Sequence, residues 1–240
     1  MFEVRDLYVS YGKVKAVQGM TLTAEPGKVT LVLGANGAGK TTTLRAAAGL
    51  HRPDAGTVSL HGRPITGLAP HKIVKRGLVL VPEGRRIFAP LTVLENLRMG
   101  GYTAPRAELT DILDRVFDMF PVLKERQDGQ AGLLSGGEQQ MLAFGRALMG
   151  RPKFMMLDEP SMGLAPAMVD TVLGSIRAMA DSGIGVLMVE QNAEVGLEVA
   201  DDVAVVSRGK VVFTGTAHEA KSHSSVLRAF LGEAALAAET

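Results

Sequence analysis

Eight residues near the start of the chain constrain its fold more than any other stretch. They read Gly-Ala-Asn-Gly-Ala-Gly-Lys-Thr at residues 34–41, which fits the pattern of glycine, any four residues, glycine, lysine and then serine or threonine. A short apolar, β-branched run precedes them at residues 29–33, and residues 40–50 are predicted to form a helix. Glycines in such a turn let backbone N–H groups approach phosphate oxygens, and the helix N-terminus adds a partial positive charge. The pattern therefore predicts a phosphate-binding loop between a buried strand and a helix.

The residue types in this loop indicate that its ligands are a nucleoside triphosphate and the metal ion bound to it. Lys40 is expected to reach the β- and γ-phosphates of ATP, and Thr41 is expected to coordinate Mg²⁺. The loop residues that we predict to contact ATP are Asn36, Gly37, Ala38, Gly39, Lys40, Thr41 and Thr42.

A second stretch, Phe-Met-Met-Leu-Asp-Glu at residues 154–159, is an apolar strand that ends in two acids. Asp158 is placed to hold Mg²⁺ through water, as the second acidic element of phosphate-loop ATPases does. Glu159 is the candidate general base for the attacking water. An acidic strand end is ordinary when it stands alone, but beside a phosphate loop it favours ATP hydrolysis.

A third stretch, Leu-Ser-Gly-Gly-Glu-Gln-Gln at residues 134–140, is the most discriminating. Ser135 and Glu138 have the spacing of a capping box, which predicts the start of a helix. A plain helix start does not explain Gly136 and Gly137, because glycine destabilises a helix unless a close approach requires it. A second anion-binding helix terminus, about a hundred residues after the first, suggests that a phosphate is held from two sides.

In this order, the stretches at residues 34–41, 134–140 and 154–159 resemble the Walker A, signature and Walker B sequences of the ABC transporter ATPase family. The resemblance covers nearly the whole chain. It implies that two ATPase domains dimerise head to tail, so that Ser135 and Gly137 face the γ-phosphate on the partner's phosphate loop. The signature residues implied to contact ATP are Ser135, Gly136, Gly137 and Glu138.

The same resemblance implies how the base of the nucleotide is held. Tyr11, in the stretch Val-Ser-Tyr-Gly at residues 9–12, matches the family's aromatic residue that stacks on adenine. Val17 is included with Tyr11 in the expected ATP-binding set. Without the resemblance, the local sequence around Tyr11 would predict only an ordinary tyrosine in a turn.

Finer features resemble one subfamily, the ATPases of branched-chain amino-acid importers and their close relatives. They lie at residues 81–88, 135–143, 161–166 and 189–192. The resemblance implies that the transported substrate is a branched-chain or other hydrophobic amino acid, with urea or a short amide as the alternative.

Three positions depart from the pattern of the wider family, with Glu83 in place of Gln, Ala165 in place of Asp and Gln191 in place of His. Glu83 can coordinate Mg²⁺ through water but adds negative charge near the γ-phosphate. Gln191 can donate a hydrogen bond to that phosphate but cannot carry a positive charge. Ala165 lacks a polar contact that normally crosses the dimer interface. The expected catalytic set is Glu159, Lys40, Gln191 and Glu83, and the expected Mg²⁺ ligands are Thr41, Glu83 and Asp158.

The order of elements predicts an α/β fold with an antiparallel β layer and an inserted α-helical subdomain, and the resemblance implies that its core is that of a P-loop NTPase (RecA-like). Strands alternating with helices predict a parallel sheet covered on both faces. Apolar residues between 106 and 120 recur at helical spacing, in a stretch of roughly 60 residues without a clear strand. We therefore expect one ABC ATPase domain, residues 1–240, in which residues 1–83 and 151–240 form the core and residues 84–150 the helical subdomain. Residues 234–240 are expected to fray.

Composition limits the partners. The 240 residues include no cysteine, which excludes disulfides and cysteine metal sites. The net charge of +1 gives no electrostatic case for nucleic acid as a ligand. No stretch approaches the roughly 20 apolar residues of a membrane span, so a membrane role has to come through partner chains.

The resemblance implies those partners and a location. They are a second ABC ATPase subunit, either the same chain or a homologous one, two transmembrane permeases and, indirectly, an extracytoplasmic substrate-binding protein. The location is the cytoplasmic face of the bacterial inner membrane, as a peripheral subunit. Ile87 or Phe88 is expected to present an apolar anchor to a permease, unless both are buried within this chain.

Other functions are less well supported by the sequence. A soluble ABC ATPase of DNA repair or translation usually has a long coiled-coil insertion or two cassettes, and this chain has 240 residues and one phosphate loop. A nucleotide-binding scaffold with little activity is conceivable because of Ala165 and Gln191. The signature stretch argues against a small-molecule kinase.

Overall fold

Ten strands form two sheets within residues 1–222, the part of the chain that the computed structural model describes. Residues 223–240, with the end that was expected to fray, lie outside this range. The strands are β1 (Phe2–Tyr11), β2 (Val14–Ala24), β3 (Val29–Leu33), β4 (Ala55–Leu60), β5 (Arg63–Pro64), β6 (Leu78–Val81), β7 (Phe154–Asp158), β8 (Gly185–Glu190), β9 (Asp202–Ser207) and β10 (Lys210–Thr216).

The larger sheet has the order β10-β9-β3-β8-β7-β6, and all its pairs are parallel except β9 with β10. Every residue of β3, β7 and β8 is buried, as expected for strands covered on both faces. The register pairs Leu33 with Glu190, and Asp158 with Val189. Because parallel strands end at the same edge, the phosphate loop after β3 and the acids after β7 meet there.

Nine helices accompany the sheets within the described residues. They are α1 (Lys40–Ala47), α2 (Pro70–Lys75), α3 (Val93–Gly100), α4 (Leu109–Met119), α5 (Pro121–Glu125), α6 (Gly136–Leu148), α7 (Pro166–Asp181), α8 (Ala193–Val199) and α9 (Ala217–Ser222). Among these residues, none of the helices is both long and apolar enough to cross a membrane.

Alternate side chains of β3 serve two cores on opposite faces of the sheet. Leu31 belongs to a cluster that includes Leu142 and Phe144 of α6. Val32 belongs to a second cluster with Leu44 of α1 and with the apolar face of the antiparallel sheet. One cluster therefore joins the larger sheet to helices, and the other joins it to α1 and the antiparallel sheet. The predicted α/β core with an antiparallel layer is confirmed.

The antiparallel sheet has the order β2-β1-β4-β5 and lies against α1. Strand β1 ends at Tyr11 and β2 begins at Val14, so a tight turn joins these two paired strands. This turn brings Tyr11 towards the phosphate loop. The turn between β9 and β10 also lies next to that loop. The backbone N–H of Gln18 donates to the carbonyl of Gly209, 2.8 Å away.

Helices α3 to α6 fill the chain between β6 and β7. The apolar face predicted from residues 106–120 is seen in α4, whose Ile112, Val116 and Phe117 are buried. The helix itself starts later than predicted, at Leu109, because residues 106–108 form a 3-10 turn after Pro105. Since α6 shares one apolar cluster with β3, the boundary of a separate helical subdomain at residues 84–150 stays a prediction.

Candidate nucleotide-binding site

A cleft of about 560 Å³ opens where β3 and β7 end. The residues that line it are Tyr11, Val14, Lys15, Ala16, Asn36, Gly37, Ala38, Gly39, Lys40, Thr41, Thr42, Glu83, Glu159 and Met162. The structure thus brings every loop residue that was predicted to contact ATP, Asn36 to Thr42, together with Tyr11, Glu83 and Glu159.

Backbone geometry requires glycine at two positions of the loop. Gly39 has a φ of 102°, and a Cβ atom there would lie 2.5 Å from the carbonyl oxygen of Ala16. A Cβ atom on Gly34 would lie 2.5 Å from the carbonyl oxygen of Val206. Because the loop passes this close to two strands, a larger residue would displace it from the cleft.

Lys40 places its ammonium group inside the loop. Its side chain is 4% exposed, and Nζ donates to the carbonyl oxygens of Gly34 at 2.7 Å and Ala35 at 3.3 Å. Nζ also lies 3.4 Å from Oε1 of Glu159. A buried cation is costly unless partners surround it, and these three groups supply partners that an anionic ligand can replace.

Thr41 and Asp158 join the phosphate loop to the end of β7. The hydroxyl of Thr41 donates to Oδ1 of Asp158 at 2.9 Å. Burial raises the pKa of Asp158, the negative charges of Glu159 and Glu83 raise it further, and the bond from Thr41 and the charge of Lys40 oppose the rise. Closely spaced oxygen ligands that lack positive charge are the donor set that a hard divalent cation prefers.

Glu159 occupies a strained position directly after β7. Its φ is 47°, in the left-handed region that residues other than glycine rarely adopt. Its backbone N–H donates to the carbonyl of Val189 at 3.0 Å, which ties the residue to β8. The carboxylate lines the cleft beside Lys40 and can reach a group bound there.

Glu83 lies two residues after β6 and lines the same cleft. The three residues that follow it, Gly84, Arg85 and Arg86, have φ values of 75°, 62° and 49°. This left-handed run turns the chain sharply away from the cleft and towards α3.

Tyr11 and Val17 were expected to contact the adenine base of ATP, and only Tyr11 lines the cleft. Tyr11 is 43% exposed, and its ring centroid lies 4.5 Å from that of His51. Val17 is buried and absent from the lining, because alternation along β2 turns its side chain into the core. Val14, Lys15 and Ala16 line the cleft instead, and a contact between Val17 and the base stays a prediction.

Ser135, Gly136, Gly137 and Glu138 begin α6 and do not line this cleft. The predicted capping box is present: the backbone N–H of Ser135 donates to Oε2 of Glu138 at 2.6 Å, and the N–H of Glu138 donates to Oγ of Ser135 at 3.3 Å. A Cβ atom on Gly137 would lie 2.0 Å from Cε at the flexible end of Met168 and 3.2 Å from its Cβ, so the Met168 side chain would have to shift.

Gln191 is exposed just beyond β8 and is also absent from the lining of the cleft. The residue before it, Glu190, is buried at the end of the same strand. No site role was predicted for Glu190, although its place directly after the apolar run at residues 186–189 indicates burial.

Comparison with known proteins agrees with this site. Residues 17–162 match the family model described as ABC transporter. The chain is 40% identical to the high-affinity branched-chain amino acid transport ATP-binding protein BraG of Pseudomonas aeruginosa over 92% of this chain and 95% of that protein. It is 35% identical to the probable branched-chain amino acid transport ATP-binding protein LivF of Archaeoglobus fulgidus, over 97% and 99%. It is 36% identical to the lipopolysaccharide export system ATP-binding protein LptB of Haemophilus influenzae, over 95% of each.

Two solved structures are similar over nearly their whole length. One is the crystal structure of a nucleotide-free ATP-binding cassette from an ABC transporter, with a TM-score of 0.86, 25% identity and coverage of 97% of this chain and 99% of that one. The other is the ADP conformation of an ATP-binding cassette of an ABC transporter, with a TM-score of 0.87, 26% identity and the same coverage. The chain therefore belongs to the ABC transporter family and is one of its ATP-binding, ATP-hydrolysing subunits.

Proposed function

We propose that the chain is the ATPase subunit of an ABC importer that carries branched-chain or other hydrophobic amino acids through partner permeases. The observation that carries the choice of substrate is the 40% identity to BraG across almost the full length of both proteins. The match to LivF supports the same substrate class. The work takes place at the cytoplasmic face of the bacterial inner membrane, and an extracytoplasmic binding protein delivers the substrate to the permeases.

A second candidate comes from the 36% identity to LptB, whose name assigns it to lipopolysaccharide export. The ATPase site would be the same in both systems, because the cargo does not bind to this chain. Import of urea or a short amide is a further alternative. The stretches at residues 161–166 and 189–192, which resemble the amino-acid importer ATPases, favour the first proposal.

In the proposed mechanism, the ATP phosphates replace the partners that hold Lys40. Its ammonium group is now satisfied by two carbonyl oxygens and by Glu159, and a phosphate oxygen is a stronger acceptor than a carbonyl. The loop residues from Asn36 to Thr42 line the same cleft. Tyr11 supplies the aromatic face for adenine at the mouth of the cleft.

Mg²⁺ would be held by Thr41, Asp158 and Glu83. The Thr41 hydroxyl lies 2.9 Å from the buried Asp158 carboxylate, and Glu83 lines the same cleft as Thr41. Burial is the main cause of the raised pKa of Asp158, and the negative charges of Glu159 and Glu83, which a cation would offset, add to it. When bound, the ion would neutralise charge on the β- and γ-phosphates.

Glu159 is the proposed general base. Once a phosphate takes over the ammonium group of Lys40, the Glu159 carboxylate loses its cationic partner and can accept a proton from a water at the γ-phosphate. Gln191 follows the neighbouring strand end and would donate a hydrogen bond that orients the phosphate.

A second ATPase subunit completes the site in this proposal. Ser135, Gly136, Gly137 and Glu138 lie at the start of α6, outside the cleft of their own chain. The first turn of α6 leaves backbone N–H groups available for an anion. These groups therefore serve the ATP bound to a partner, which is either a second copy or a homologous ATPase.

The proposed permease contact is an apolar groove of about 280 Å³ on another face of the chain. Its lining includes Phe88, Met99 and Tyr102, whose side chains are exposed. Phe88 is 44% exposed, whereas Ile87 packs against the core, so Phe88 is the anchor of the two. Its backbone is fixed by buried Asn96, which donates to its carbonyl and accepts from its N–H.

The role of Lys40 is tested by Lys40→Ala. Loss of a buried charge-assisted contact should weaken ATP binding by about 10- to 100-fold. Titration of the isolated chain with a fluorescent ATP analogue measures the affinity. Lys15→Ala is the matched control, because it removes an exposed cation from the same cleft. Equal affinities of the parent and Lys40→Ala would remove Lys40 from the phosphate site.

The role of Phe88 is tested by Phe88→Ala in the assembled transporter. We expect unchanged ATP binding by the isolated chain and assembly with the permeases weakened by about tenfold or more, since aromatic anchors often dominate an interface. Leu50→Ala is the control, because Leu50 is exposed but lies outside the groove. A large fall in the melting temperature with assembly intact would make Phe88 a core residue and refute the contact.

The transported substrate is tested by uptake in the host organism. Deletion of this chain should abolish uptake of labelled leucine, isoleucine and valine, and the parent chain should restore it while Lys40→Ala should not. Normal amino-acid uptake with loss of urea uptake, or with retention of lipopolysaccharide in the inner membrane, would contradict the proposal and select one of the alternatives.

A further inference from the structure

Glu190 is a buried acid for which the proposed mechanism has no use. It is the last residue of β8, and it is 3% exposed. A carboxylate is rarely buried this deeply unless hydrogen bonds satisfy it. Its partners therefore indicate what it does.

The carboxylate of Glu190 accepts hydrogen bonds from the loop that follows β7. Its Oε1 accepts from the backbone N–H of Ser161 at 3.0 Å. The carboxylate also interacts with the hydroxyl of Ser161 and with the backbone N–H of Gln191. Burial raises the pKa of Glu190 above its usual value and the negative charge of Glu159 adds to the rise, whereas the interactions with Ser161 and Gln191 oppose it.

These bonds hold the segment that contains the proposed base. Glu159 has a φ of 47° and is followed by Pro160, which further restricts its backbone. A strained conformation of this kind persists only when neighbouring groups fix it. The backbone N–H of Glu159 donates to the carbonyl of Val189, and the N–H of Ser161 donates to the side chain of Glu190, the next residue of the same strand. Two consecutive residues of β8 thus hold the chain on both sides of Pro160.

We propose that Glu190 is a positioning residue for ATP hydrolysis: by fixing Ser161 it keeps the carboxylate of Glu159 aimed into the cleft. The inference rests on the proposed role of Glu159 as the base and deepens it. Glu190 itself does not line the cleft and acts through the backbone of residues 159–161.

The first test is Glu190→Gln, measured as ATPase activity of the assembled transporter. The amide has the same shape, but only one of its two polar atoms can accept a hydrogen bond, whereas both oxygens of the carboxylate can. We expect kcat to fall by about tenfold or more while KM for ATP stays within about twofold, because a misplaced base affects hydrolysis rather than binding. The control is Glu198→Gln, which neutralises an exposed acid on α8. An unchanged kcat for Glu190→Gln would overturn the inference.

The second test combines Glu190→Gln with Glu159→Gln in single-turnover hydrolysis followed over hours. If Glu190 acts through Glu159, its replacement should change the residual rate by less than about twofold once the base is gone. The same tenfold loss in both backgrounds would overturn the inference and leave the base in place. Parental hydrolysis by Glu159→Gln alone would refute the base and the positioning inference together.

A third variant keeps the inference testable if Glu190→Gln melts below the assay temperature. Ser161→Ala removes the hydroxyl partner of Glu190 and keeps the backbone bond. We expect a kcat lowered by about two- to fivefold at unchanged KM. A kcat equal to that of the parent would count against the inference.

Discussion

Lys40 holds a full positive charge inside the protein, and much of the architecture compensates for it. The ammonium group needs the carbonyl oxygens of the phosphate loop and the carboxylate of Glu159. The loop reaches this shape only because glycines allow it to pass close to β2 and β9. Glu159 reaches Lys40 only because β7 runs parallel to β3, with β8 between them.

The same arrangement gives the site its chemistry. The buried ammonium group of Lys40 lies beside the partly buried carboxylate of Glu159, and the hydroxyl of Thr41 donates to Asp158. These four side chains are among those that the proposed mechanism assigns to ATP, Mg²⁺ and the attacking water. Binding would therefore exchange internal partners for phosphate and metal, which limits the cost of leaving buried groups unpaired in either state.

The sequence was most informative where a pattern is local. The phosphate loop and the capping box of Ser135 and Glu138 depend on residues within a few positions of each other. The loop lies between a strand and a helix as predicted, and both hydrogen bonds of the capping box are present. The burial of Val17 has no local signal, because the burial of a strand residue depends on the sheet against which it packs. Gly137 packs against Met168, and Glu190 accepts a hydrogen bond from Ser161. The two residues of each pair are distant in sequence, and no local pattern specifies such contacts.

The central claim is that one ATP is held by the phosphate loop of one subunit and by the start of α6 of another. The most direct measurement compares ATP affinity of the isolated chain with ATP hydrolysis by the assembled transporter, for the parent and for Ser135→Arg. Because Ser135 lies outside the cleft of its own chain, the account predicts that Ser135→Arg binds ATP within about twofold of the parent and that the transporter loses nearly all hydrolysis. Loss of ATP binding by the isolated chain, or hydrolysis at the parental rate, would contradict it.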